Sequence, residues 1–181
     1  MIINNKAREF INELSFSDNE GFNRWSVFIH AFHESDGFKS IIGRFNYWGI
    51  KVPKNWNGLV LDLPTFEYEK IILDETKEKA KKRIEKKYGR NVEIGNINNY
   101  WKIILYQQFI DFKSCDNAIN WYCNLIKRLY EYSYDHRGQP IEYFKGLITG
   151  KYKYATDPRY SQKLINLYND LKIEKKLSID T

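Results

Sequence analysis

The apolar positions of this 181-residue chain change their rhythm twice. Near the N-terminus they recur every three or four residues. Ile3, Phe10, Ile11 and Leu14 outline one helix, and Phe22, Trp25, Ile29 and Phe32, widened by Phe28, outline a second that Ser17 or Asp18 is placed to cap. Gly37 and Gly43 end that pattern, and NYWGIKV followed by Pro53 reads as an irregular loop. Between Gly58 and Leu73 the period drops to two, as in a strand or hairpin. Pro64 puts this stretch at an edge or bulge, because proline has no N–H to give a neighbouring strand. WKIILYQQFIDF reads as a second extended stretch.

Helical rhythm then returns. Ser114 or Asp116 caps a helix with Ala118, Tyr122, Leu125 and Leu129 on one face, and HRGQP breaks it. Asp157 and Pro158 open the last helix, whose stripe is Tyr160, Leu164, Leu167 and Leu171. The aspartate supplies a cap, and the proline lacks an N–H that would go unpaired there anyway. The fold class expected is α+β: mostly helical, with a small antiparallel hairpin, in one domain spanning residues 1–181.

Charge changes this picture in one place. Lysine and arginine total 29 against 23 acidic residues, a net charge of +6. Lys77 to Arg90, KEKAKKRIEKKYGR, contributes 8 − 2 = +6, so the rest of the chain sums to zero. This segment reads as a helix capped by Asp74, with Ala80, Ile84 and Tyr88 as its apolar line and solvated charge elsewhere. Cys115 and Cys123 lie eight positions apart in one predicted helix, about 12 Å at 1.5 Å per residue, too far for a disulfide. Both are expected as buried thiols. The N-terminal stretch lacks the apolar core of a signal peptide, and no run approaches the roughly 20 apolar residues of a membrane span.

Candidate chemistry narrows quickly. His33-Glu34 starts like a zinc-protease helix, but the second histidine such a site needs is replaced by Gly37, and with three histidines and no cysteine cluster no metal or cofactor is implied. No glycine-rich phosphate loop or nucleophile elbow occurs. The basic run lacks a recognisable nucleic-acid reading motif, so nucleic acid is not expected as a partner. A carboxylate remains. Glu34 follows Phe28, Ile29, Ala31 and Phe32, so its carboxyl is expected at the lip of an apolar core, where desolvation favours the protonated form. A neutral carboxyl can protonate a leaving oxygen, the step that cleavage of a glycosidic bond requires.

Five short motifs occur in order: Glu34-Ser35 with Ser40, Asn46-Tyr47-Trp48-Gly49-Ile50-Lys51, Thr65-Phe66-Glu67-Tyr68, FIDFKS from Phe109 to Ser114, and YATDPRY from Tyr154 to Tyr160. Together they resemble the glucosaminidase family of bacterial and phage cell-wall hydrolases, autolysins and the flagellar rod-cap hydrolase among them. The resemblance implies a lysozyme-like fold and an endo-β-N-acetylglucosaminidase acting on peptidoglycan glycan strands. It implies that Glu34 is the catalytic acid, that Glu67 activates or positions water, and that Tyr154 lines the groove opposite the acid. Ser40, Asn46, Tyr47 and Trp48 are expected to bind substrate, the last two by stacking on sugars, and Asp157 to cap its helix.

Departures from the family pattern are local. Asp36, Gly37 and Phe38 stand where Gly, Trp and Gly are usual, Ile110 replaces an arginine, and Lys153 replaces a glycine. Residues from about 74 to 99 are expected as a basic helical insertion that holds anionic wall polymers. An inactive glycan-binding or structural module of a phage tail is the alternative that these departures raise. The enzyme is expected at the bacterial cell wall without membrane insertion, reached as a phage-encoded cytoplasmic lysin or a virion component.

Overall fold

The computed structural model describes residues 4–16, 20–89 and 92–173. The chain divides into two compact units, Met1–Ile50 with Asp111–Thr181, and Lys51–Ile110. The first is helical: α1 (Asn5–Phe16), α2 (Arg24–Glu34), α4 (Cys115–Leu129), α5 (Glu131–Asp135), α6 (Pro140–Gly146) and α7 (Tyr160–Ile173). The second holds β1 (Val60–Lys70), α3 (Lys77–Tyr88), β2 (Glu93–Ile97) and β3 (Tyr100–Ile110). This is the expected α+β class.

In the first unit α2 is the central element. Six consecutive residues, Ser26 to Ala31, are buried, so the helix is enclosed on every side rather than along one stripe. Asn23 caps it by accepting the Trp25 N–H at 3.0 Å. That role was expected of Ser17 or Asp18, which lie outside the described residues. Phe10 of α1 packs with Phe28, Phe38, Tyr47 and Trp48. Ser114 caps α4 as expected, but the buried face is Cys115, Ala118, Ile119, Tyr122, Cys123 and Ile126. Leu125 and Leu129 stand half-buried at its margin. Both cysteines are free and buried. Close contact between α5 and α6 depends on Gly146, where a Cβ would meet the Ser133 Oγ at 2.4 Å.

The second unit is a three-stranded antiparallel sheet in the order β1-β3-β2. β1 is an edge strand, which accommodates Pro64 opposite Tyr106. β2, read from sequence as part of a helical insertion, forms a hairpin with β3 through Asn98 and Asn99. Both have positive φ, 48° and 64°, the left-handed pair that a two-residue hairpin turn needs. Thr76, not Asp74, caps α3 by accepting the Lys79 N–H, and Gly89 ends the helix in the left-handed conformation. Ala80 and Ile84 of α3 pack on Val92, Ile94, Trp101, Ile103 and Leu105, so the basic helix covers one face of the sheet. Arg83 fixes it there, with 2.6 Å to Glu69 and 2.8 Å to Glu75, while Trp101 Nε1 donates to Glu75 at 3.1 Å.

Candidate active site

Glu34 is the last residue of α2. The enclosed part of the helix ends at Ala31, so the final turn brings the carboxyl to the boundary of the core, where it is half-buried. Among the described residues it has no ion pair; instead the Tyr160 hydroxyl at the start of α7 donates to its Oε1. Burial raises the Glu34 carboxyl above its ordinary range, and the Tyr160 hydrogen bond offsets part of that by favouring the charged form. Its place at the negative end of α2 also disfavours the anion. Burial and the helix end both favour the neutral carboxyl.

The backbone beyond Glu34 is tightly specified. Ser35 ends the helix, Asp36 turns left-handed at φ 47°, and Gly37 N–H reaches back to the Phe32 carbonyl at 2.8 Å. This is a Schellman-type ending, in which the residue after the left-handed one closes a six-residue loop onto the last full turn. Ser35 Oγ donates to the Ala31 carbonyl at 2.6 Å and accepts the Phe38 N–H at 3.1 Å. Phe38, at φ 63°, drives its ring into the core beside Phe10, Phe28 and Tyr47. Asp36 and Phe38, which replace the family's usual glycines, thus both hold the left-handed backbone that glycine adopts most easily.

Tyr154, half-buried in the loop before α7, stacks at 6.0 Å on Tyr160 and meets the His30 ring edge-on at 4.3 Å. Its hydroxyl donates to the Trp48 carbonyl at 3.2 Å. Burial raises its pKa, and the Glu34 carboxylate adds to that. α7 starts at Tyr160, two residues later than Asp157 and Pro158 led one to expect, and Asp157 holds the turn before it: Oδ1 accepts the Arg159 N–H at 2.9 Å, its carbonyl accepts the Tyr160 N–H at 3.0 Å, and Lys163 pairs with Oδ2 at 2.7 Å. This turn delivers Tyr160 to Glu34.

The four substrate-binding candidates do not behave alike. Ser40 is exposed in the loop after α2, its N–H bonded to the Ser35 carbonyl at 2.9 Å. Asn46, 1% exposed, uses its side-chain amide to close its own loop, donating to the Ile50 carbonyl at 2.9 Å and accepting the Ile50 N–H at 2.8 Å. Tyr47 donates to Cys115 Sγ inside the core, and Trp48, 3% exposed, lies flat on Tyr122 at 4.0 Å. Neither ring offers a face to a sugar, so the stacking expected of them is corrected to core packing. Glu67 is exposed on β1 in the second unit, paired in register with Ile103. The opposite face of that sheet exposes Phe66, Tyr68, Tyr100 and Tyr106, with Lys102 Nζ 4.1 Å from the Phe66 ring centre.

Two groups at the site were missed in the sequence: Tyr160, read as part of a core stripe, and His30, one turn before Glu34. The signal for His30 was its i, i+4 relation to the acid; for Tyr160, its place as the second tyrosine of YATDPRY. Among the described residues no cluster of His, Cys, Asp or Glu is arranged to hold a metal, and no helix is long and apolar enough to cross a membrane.

The glucosaminidase profile, described as mannosyl-glycoprotein endo-beta-N-acetylglucosaminidase, matches residues 15–173. Among solved structures, the glycoside hydrolase domain of Salmonella typhimurium FlgJ is similar with a TM-score of 0.61 at 18% identity, covering 92% of this chain and 98% of that one. A peptidoglycan hydrolase from Sphingomonas sp. A1 gives 0.56 at 19% identity over 97% and 90% of the two chains. The catalytic domain of the autolysin Auto from Listeria monocytogenes gives 0.57 at 14% over 97% and 89%. Nothing matches among curated proteins. These likenesses establish a shared lysozyme-like fold, and the profile match over most of the chain places it in the glucosaminidase family of glycoside hydrolases.

Proposed function

We propose that this protein is an endo-β-N-acetylglucosaminidase that cleaves the glycan strands of bacterial peptidoglycan, with Glu34 as general acid. The observation that carries the reading is a half-buried carboxyl at the end of α2 with a phenol, not a cation, as its partner. Glu34 gives its proton to the glycosidic oxygen as the C–O bond breaks, and water supplies the hydroxyl at the new reducing end. Three structural relatives support the substrate class: two are named as peptidoglycan hydrolase and autolysin, and one as a glycoside hydrolase domain.

The remaining roles belong to the same proposal. Tyr154 turns its hydroxyl from the Trp48 carbonyl to the acetamido group of the bound sugar, and Glu67 positions the water. The exposed lysines of α3, Lys77, Lys79, Lys82 and Lys86, hold anionic wall polymers by a salt-screened attraction. Purified peptidoglycan incubated with the protein should release fragments whose new reducing end, by mass analysis, is N-acetylglucosamine. Glu34→Gln should fold normally and release them about 100-fold more slowly or worse. Undiminished release by that variant would remove Glu34 from the mechanism, and no release by wild type would leave a glycan-binding module.

A further inference from the structure

His30 is fully buried in the middle of α2, yet both its ring nitrogens are bonded. Nε2 lies 2.7 Å from the Tyr160 hydroxyl, and Nδ1 pairs with the Tyr122 hydroxyl, which pairs in turn with that of Tyr143. With Glu34 ionised, counting protons sets the direction of each bond. The Tyr160 hydroxyl then donates its one proton to the carboxylate, so its oxygen receives a proton from His30 Nε2. Burial holds the imidazole pKa well below its ordinary value, leaving a neutral ring with a single N–H. Nδ1 is therefore an acceptor and takes the Tyr122 proton, and Tyr122 takes that of Tyr143. Donors from α6, α4, α2 and α7 thus point one way, toward the Glu34 carboxyl.

We propose that His30 is a positioning residue for Glu34: kept as the Nε2–H tautomer by Tyr122, it commits the Tyr160 proton to the carboxyl. The inference rests on the reading of Glu34 as the acid. Without the Nε2 donor the Tyr160 hydroxyl is free to turn away, and its bond to the carboxylate loses the reinforcement that aligned donors give one another. That bond favours the charged form, so its loss lets Glu34 hold its proton to higher pH. A general acid works only while protonated, so the alkaline limb of activity should move upward. The other titratable groups facing this chain are Tyr154 and Tyr130, Cys123 on α4, His33 on α2, and Lys163 on α7, whose charge acts on His33.

The test compares the pH dependence of fragment release for wild type, His30→Leu, His30→Gln and Tyr122→Phe, with ¹⁵N NMR of the histidine rings in the full-length chain. The His30 spectrum should show Nε2 protonated and Nδ1 bare on the alkaline side of the limb, where Glu34 is ionised. His30→Leu should raise the alkaline limb while its acidic plateau falls by far less than the roughly 100-fold expected on removing the acid. Glutamine, with one donor and one acceptor, should bring the limb back. Tyr122→Phe keeps the ring and removes only the proton given to Nδ1, so it should move the limb the same way by less. If His30→Leu does not fold, Tyr122→Phe and the spectrum decide. An Nδ1–H ring, or variants that scale the rate equally at every pH, would overturn the proposal and leave His30 as packing. Failure of the catalytic reading is separate: Glu34→Gln would then still hydrolyse while the tautomer stayed as assigned.

Discussion

Glu34 in the first unit and Glu69 and Glu75 in the second are all held by hydrogen bonds beside aromatic side chains, but their donors differ. Glu34 is bonded by a phenol, so burial dominates and its carboxyl sits above the ordinary range. Glu69 is bonded by Lys87 and Arg83, and Glu75 by Arg83 and the Trp101 indole, and both are held below it. A phenol offers a proton without a positive charge, whereas a guanidinium or ammonium pins the carboxylate as an anion. The same residue type therefore carries a raised pKa in one unit and is part of a helix-to-sheet clamp in the other. The sharpest test swaps each carboxyl for its amide. Glu34→Gln should lower the rate of reducing-end release by about 100-fold or more. Glu69→Gln and Glu75→Gln should leave that rate near wild type, because they hold only α3. A comparable loss in all three would erase the distinction.

The next largest effect tests what surrounds the phenols. Trp48 lies flat against Tyr122, the ring that bonds His30, and its indole N–H has no hydrogen-bond partner within the described residues. Removing it should therefore cost packing rather than a polar bond. Trp48→Ala should destabilise the protein by about 3–5 kcal/mol in urea unfolding. Stability within 1 kcal/mol or so of wild type, combined with a raised KM for glycan, would return Trp48 to the sugar-binding surface.

That prediction marks where the sequence stops being legible. The helices α1, α2, α3, α4 and α7, the edge position of Pro64, the free thiols and the place of Glu34 all follow from local pattern, because each depends on neighbours a few residues away; the short α5 and α6, on either side of HRGQP, do not. Tyr47 and Trp48 do not. In a chain that is 17% aromatic, whether a ring packs or binds depends on what folds over it, here α1 and α4, distant in sequence. β2 was missed for another reason. Its hairpin signal, Asn98-Asn99 before an alternating strand, was subsumed in a charged segment whose helix ends ten residues earlier. His30 was passed over, despite standing four residues before Glu34, because a histidine on an apolar helix face reads as core. Its partners come from α4 and α7 and are joined only by the fold.

The clamp and the buried histidine also predict how stability responds to acid, with the sign fixed by each shift. His30 has its pKa depressed by burial. Between that depressed value and 6.5 the unfolded chain binds more protons, so stability falls as pH drops below about 6.5. Glu69 and Glu75 are also depressed, by their cations; their contribution is present above about 4.5 and is lost as pH falls through their folded values. Glu34 is raised, so its contribution runs the other way, present at low pH and lost as pH rises through its folded value. Melting temperature followed from pH 8 to about pH 2 should therefore decline in two stages. His30→Gln should flatten the upper one, and Arg83→Met, which should lower the midpoint by a few degrees at neutral pH, should flatten the lower. An upper stage left unchanged by His30→Gln would mean that the imidazole is charged in the fold.

The smallest effect is expected two residues beyond the acid. Asp36 and Phe38 share the left-handed backbone, but only Asp36 is exposed, so it alone can be replaced without opening the core. A left-handed conformation costs an ordinary residue about 1–2 kcal/mol, less for aspartate, whose short side chain tolerates it. Glycine removes that cost but gives the unfolded chain more freedom, which takes back about 0.4–1 kcal/mol. Asp36→Gly should therefore stabilise by less than about 1 kcal/mol, read as a higher urea midpoint at an unchanged slope. Because the Schellman closure is made by backbone groups at Gly37 and Phe32, the seat of Glu34 should not move, and the pH limb of hydrolysis should stay in place. If the limb shifted, the Asp36 carboxylate would belong to the electrostatics of the acid, and the contrast between a phenol-held and a cation-held carboxyl would need a third term.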